Sequence, residues 1–217
     1  SLEAANIVAA ECSSEISEVI AIKANVANDE DCIHSVETAI KKWGRVDAVV
    51  NNAGTTKFVW NHGDLEGIDA EDFQNIYSVN VIGPFQMVRA SKMHLLKSDN
   101  PNIINVSSIG GLKGIGSSIA YAASKGALNS MTLSMARNLG PIKVNAVCPG
   151  FIEGEWLRKG MGEERFEATK THIENTSPLG KTCSPESIAE VIYNLIVASE
   201  LVTGQLIAID GGVSLNL

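Results

Sequence analysis

The chain has 217 residues, of which 45% are hydrophobic and 19 are glycine, and its 25 acidic against 17 basic side chains give a net charge of −8. That length and apolar content suffice for one sizeable core, and no linker divides the chain. The acidity argues against a polyanionic partner, so neither nucleic acid nor an anionic membrane is expected.

In chain order, residues 1–12 have helical character, with Ser1 as the cap. Residues 19–26 (VIAIKANV) are β-branched and apolar and predict a buried strand. Residues 29–43 predict a helix capped by Asn28 or Asp29, with Ile33, Val36 and Ile40 as its apolar stripe and Gly44 as its stop. Residues 47–50 begin the next strand, which runs into Asn51-Asn52-Ala53-Gly54. Strand, helix and strand at this spacing imply a βαβ unit and a parallel sheet. A polar loop over 55–67 carries Phe58, Trp60 and His62, and a helix over about 69–96 is expected to bend near Gly83-Pro84.

Strand 102–106 leads into the stretch Asn105 to Lys125, NVSSIGGLKGIGSSIAYAASK, whose helix spans about 118–138. Residues 142–147 form a further strand ending at Cys148-Pro149-Gly150. Residues 153–176 are helical in places and can cover a substrate. Ser184-Pro185-Glu186 opens a helix to about 198, and 205–209 is the last strand. Cys12, Cys32, Cys148 and Cys183 lack zinc or disulfide spacing, so no metal is expected. They read as reduced thiols of a cytoplasmic protein, and no signal peptide or membrane-length apolar run is found.

Alternating strands and helices predict an α/β fold: a doubly wound parallel sheet of Rossmann type in three αβα layers, with ligands at the C-terminal strand ends. Tyr121 and Lys125 are four apart and share one helix face. A tyrosine is a weak acid or base near neutrality, and an adjacent ammonium is expected to draw its pKa down. Ser108, at the end of strand 102–106, can bond the same substrate oxygen. These residues point to proton transfer in a carbonyl/alcohol pair.

Asn51-Asn52-Ala53-Gly54, Asn80 in SVNVIG, Ser108, Tyr121-x-x-x-Lys125 and Pro149-Gly150-Phe151-Ile152 together resemble the short-chain dehydrogenase/reductase family, in its 3-oxoacyl-reductase-like branch. The resemblance spans essentially the whole chain as one domain. It implies a catalytic tetrad of Asn80, Ser108, Tyr121 and Lys125. It also implies NAD or NADP as cofactor, held by Asn25, Val26, Asn51, Asn52, Ala53, Gly54, Tyr121, Lys125, Pro149, Gly150 and Ile152. A small carbonyl or alcohol substrate and a homotetramer or homodimer follow from the same likeness. The tetramer would form through helices 69–96 and 118–138 and the last strand. The alternative is a catalytically silent dinucleotide-binding or scaffolding protein of the same fold.

Two departures stand out. The family opens with a strand and a glycine-rich phosphate turn that this chain lacks, so its first two strands are expected to be missing and the domain N-terminally incomplete. The choice between NAD and NADP is lost with them. Second, Glu153-Gly154 stands where the family often places a threonine.

Overall fold

Four parallel strands run side by side in the order β1-β2-β3-β4. They are β1 (Ala48–Asn51), β2 (Asn102–Val106), β3 (Lys143–Pro149) and β4 (Leu206–Ile209). The computed structural model describes residues 2–216; Ser1, the expected cap of the first helix, lies outside them. Register places Ile103 beside Val49 and Val144, and Val147 beside Ile207. Because all four strands point the same way, their C-terminal ends share one rim.

Helices form in each segment where one was expected, the long 69–96 helix is split in two, and the glycine-rich turn after Ser108 holds a short additional helix. They are α1 (Leu2–Cys12), α2 (Asp29–Trp43), α3 (Ala70–Tyr77), α4 (Gly83–Leu95), α5 (Gly110–Lys113), α6 (Ile119–Asn138), α7 (Glu155–Met161), α8 (Glu163–Thr176) and α9 (Pro185–Val197). Local chemistry fixes their starts. The Asn28 side chain accepts the Asp31 N–H, Asp69 and Ser184 each form a reciprocal capping box, and Ser118 accepts the Tyr121 N–H. Gly44 stops α2 in the left-handed region at φ 71°, where a side chain would be strained.

Successive strand residues alternate faces, and the core divides accordingly. Val49, Ile103 and Val144 pack with Val88 and Leu95 of α4 and Met135 of α6. Ile104 and Val147 pack on the other face with Ile188 and Leu195 of α9. Two helical layers thus enclose the sheet, giving the three-layer arrangement.

Four expectations need correction. Residues 19–26 are not a strand, and none of them is fully buried. A strand needs a hydrogen-bonding neighbour, and an open cleft instead separates Ala24 and Val26 from Val50 to Ala53. The expected βαβ unit through α2 is therefore not formed. In α2, Cys32 and Val36 are buried while Ile33 faces outward, so the stripe is rotated. In the long helix the irregularity is a π-helical turn over Ser78–Ile82 rather than a bend at Pro84. Pro84 sits in the first turn of α4, where its missing N–H costs little.

Val50, on the β1 face away from α4, is 41% exposed. The molecule exposes 12078 Å² in all, against about 9,600 Å² for a compact monomer of this mass. Of residues 2–26 only Ala9 is buried.

Candidate active site

The rim of the sheet gathers the chemistry-bearing residues. β2 ends into Ser107 and Ser108, and the Ser107 N–H donates to Val147 O at 2.8 Å, holding this turn against β3. The Ser108 hydroxyl accepts the Gly110 N–H at 3.0 Å. Helix α5 then packs against α6 so closely that a Cβ on Gly111 would fall 2.5 Å from the Lys125 carbonyl carbon. Gly111→Ala is expected to destabilise the protein by about 1–3 kcal/mol, because backbone rather than a pliant side chain must yield. Thermal melting of the variant checks this; an unchanged melting temperature would contradict the packing.

On α6, Tyr121 and Lys125 project together, with the Lys125 Nζ 5.6 Å from the centre of the phenol ring. Lys125 is only 4% exposed. Its ammonium donates to Val106 O at 2.8 Å, its one hydrogen bond among the described residues. An ammonium has three protons, and the others lie beside the Gly54 turn. A Cβ placed on Gly54 would sit 3.7 Å from Nζ and 3.6 Å from the Asn80 Oδ1.

The π-helical turn carries Asn80 inward, where it is fully buried. Its Oδ1 accepts the Thr55 N–H at 2.8 Å, and its amide donates to Thr55 O at 2.9 Å and to the Ser124 hydroxyl at 3.0 Å. Asn80 thereby clamps the loop that follows β1 to α6.

Burial governs the charges. It pushes the Tyr121 phenol above its ordinary value, with the neighbouring Ser108 hydroxyl working the other way. It also lowers Lys125 to about 8. The expectation that the ammonium draws the phenol down is thus not met. Desolvation sets the direction, and the same burial weakens the lysine's own charge. Cys148, buried beside Lys125, is raised to about 11 and stays a thiol at neutral pH.

The residues expected to hold a cofactor fall into three groups. Val26, Asn51, Asn52 and Ala53 line a cleft at the end of β1. Val26 is seated there by the bare backbone of Gly83 and by the Gln86 amide, which donates to its carbonyl at 2.8 Å. Asn25 does not line the cleft: its Oδ1 accepts the Ala27 N–H, and its own N–H donates to Asp31. Asn51 lines the cleft, but its side chain is committed, donating to Asn105, which in turn donates to Thr132, at 2.8 Å each. Pro149 and Gly150 end β3, where a Cβ on Gly150 would strike Asp210 at 2.8 Å. Ile152 bridges to Cys183.

Glu153 accepts from Lys170 and Thr182, each at 2.5 Å, and so ties α8 to the strand end. The sequence reading missed Ser107, whose hydroxyl donates to Lys125 O, and Ser124. The serine pair at 107 and 108 was the only available signal for the first. Among the described residues no cluster of three or more His, Cys, Asp or Glu could hold a metal ion, and no helix is long and apolar enough to cross a membrane.

Comparison with known proteins follows the same lines. A family model described as enoyl-(acyl carrier protein) reductase matches residues 2–214. The 3-oxoacyl-[acyl-carrier-protein] reductase FabG of Thermotoga maritima is 38% identical over 191 residues, covering 87% of this chain and 74% of its own. A solved structure from Burkholderia xenovorans, described as a short-chain dehydrogenase/reductase, is 38% identical with a TM-score of 0.88, covering 98% of this chain and 83% of that one. ElxO with NADP bound has a TM-score of 0.85 at 29% identity, covering 98% and 85%.

Proposed function

The chain belongs to the short-chain dehydrogenase/reductase family, and from that premise we propose that it interconverts a ketone and a secondary alcohol with NAD or NADP. The observation that carries this reading is the meeting of Ser108, Tyr121, Lys125 and Asn80 at the strand ends. A phenol, a hydroxyl and a buried amine with unspent protons converge there.

The residues present suit the ribose and nicotinamide ends of a dinucleotide, while the glycine-rich turn that would hold its pyrophosphate is not among them. One cleft is lined by Val26 and Asn51 to Ala53, and Lys125 keeps protons free beside Gly54, where a ribose diol could accept them. Pro149 to Ile152 would take the nicotinamide end. When bound, the nicotinamide supplies or accepts the hydride. Tyr121 gives its phenolic proton to the carbonyl oxygen during reduction and takes it back during oxidation. Its raised pKa keeps the phenol protonated at neutral pH, which suits the donor role. Ser108 donates a hydrogen bond to the same oxygen and fixes its position. Asn80 holds the Thr55 loop and Ser124, so the floor of the site does not shift.

A homo-oligomer in the cytoplasm completes the reading. Phe85 and Met93 of α4 and Leu133 of α6 are exposed apolar side chains, a surface suited to a second copy. Mixing the full-length protein with NADH or NADPH and a ketone panel tests the function. Cofactor oxidation with at least one ketone is expected. Binding without turnover of any ketone would favour the silent scaffold.

A further inference from the structure

The loop that follows β1 is stitched to the segment just before Tyr121. The Val59 N–H donates to Ser117 O at 2.7 Å, the Thr56 and Ser117 hydroxyls meet at 2.7 Å, and the His62 Nε2 lies 3.1 Å from Gly116 O. Gly116 in turn borders the catalytic ring, since a Cβ there would sit 3.3 Å from the Tyr121 Cδ1. The loop therefore forms part of the mouth of the site.

From this loop Phe58 reaches α7 and lies flat on the backbone of Gly160, where a Cβ would fall 2.0 Å from its Cζ. Trp60 and Trp156 flank Phe58 with ring centres 5.2 and 5.7 Å away. Arg165 covers Trp60 at 4.8 Å, which leaves Trp156, 51% exposed, as the open ring. Among the described residues no hydrogen bond or ion pair joins loop and helix, so the rings alone make the contact.

Several polar side chains near this mouth are already spent. Lys57 pairs with Asp72, His62 meets Gly116, and Glu153 accepts from Lys170 and Thr182. Recognition of a sugar or polyol needs several unspent donors and acceptors, because each hydroxyl stripped of water must be bonded again. What the mouth offers instead is aromatic surface, which rewards flat apolar groups beyond simple burial.

We propose that Phe58 and Trp156 form a wall for the body of the substrate, and that the substrate is a ketone carried on a flat, apolar ring system rather than a sugar or a small polyol. This rests on the ketone/alcohol reading above, and the test separates the two. With the full-length protein and its cofactor, 2-tetralone and dihydroxyacetone are compared as substrates. Trp156→Ala is expected to raise KM for 2-tetralone about five- to tenfold with kcat retained, and to leave dihydroxyacetone unchanged. Trp156→Phe is expected to restore most of the loss.

Saturation-transfer NMR of 2-tetralone, with no turnover required, supplies an independent readout. Binding to wild type and to Trp156→Phe, but not to Trp156→Ala, supports the wall even where no ketone is reduced; in that case only the functional reading fails. No binding to wild type, or equal effects of Trp156→Ala on both ketones, would overturn the wall. Because Trp156 is half exposed, its variants are expected to melt like wild type. A variant that melts early is replaced by Trp156→Leu, judged by the same two outcomes.

Discussion

Tyr121→Phe is expected to lower turnover by a factor of about 10²–10⁴ while leaving cofactor binding nearly intact. The substitution removes one oxygen and keeps the ring, so the contact with Gly116 and the packing of α6 persist. No nearby group can replace the lost proton donor. Ser108 is a far weaker acid than a phenol, and Lys125 sits one turn further along α6, its ammonium placed between Val106 O and the Gly54 turn. Steady-state rates with parallel titration of NADH or NADPH fluorescence check the prediction. Loss of both binding and turnover would mark the tyrosine as structural, and loss of neither would remove it from the chemistry.

Lys125→Met is expected to make the protein more stable at pH 7 while turnover falls by about a hundredfold or more. Burial lowers the lysine from its ordinary 10.5 to about 8, so holding it charged at neutral pH costs the folded state about 3 kcal/mol. Methionine removes that cost and fills similar volume, but it leaves Val106 O without its donor, a loss of about 1 kcal/mol. A net gain of about 1–2 kcal/mol remains. The pH dependence has a definite sign. Between about 8 and 10.5 the unfolded chain binds the extra proton, so wild-type stability rises with pH through that window. Below about 8 the full penalty applies. The advantage of Lys125→Met should therefore shrink as pH climbs past 8. A variant less stable than wild type at pH 7, or a constant difference from pH 7 to 10, would contradict the energetic account of this amine.

The same lysine shows where sequence reading succeeds and where it stops. Spacing alone placed Tyr121 and Lys125 on one helix face, because helical geometry is local and a four-residue interval is unambiguous. Strand 102–106 and helix 118–138 were legible from equally local pattern. The direction of the tyrosine's shift was not legible. It depends on how much water the fold removes from the ring, a tertiary property that no spacing encodes.

Residues 19–26 failed differently. Their β-branched composition describes a surface that fits a sheet, yet strand formation also requires a paired neighbour, which the cleft beside Val50 does not provide. Asn80 was placed in the site by likeness rather than by pattern. The π-helical turn that turns it inward leaves no mark in hydrophobic periodicity. Asn51, expected beside the cofactor, lines the cleft, but its side-chain amide donates to Asn105, since a buried amide is satisfied by whichever partner the neighbouring strand presents. Gly111 and Gly160 look like ordinary turn glycines in the sequence. Their role lies in close approach, to the Lys125 backbone in one case and to the Phe58 ring in the other.

The central claim is that Tyr121 completes, with a proton, the reduction of a carbonyl that a nicotinamide has reached. Its most direct test uses cofactor deuterated at the nicotinamide C4 with the full-length protein and a ketone it reduces, and reads the alcohol by mass spectrometry. The account predicts a single deuterium on the carbinol carbon, formed by wild type and almost absent with Tyr121→Phe. An unlabelled alcohol, or labelling that proceeds at the wild-type rate in Tyr121→Phe, would contradict it.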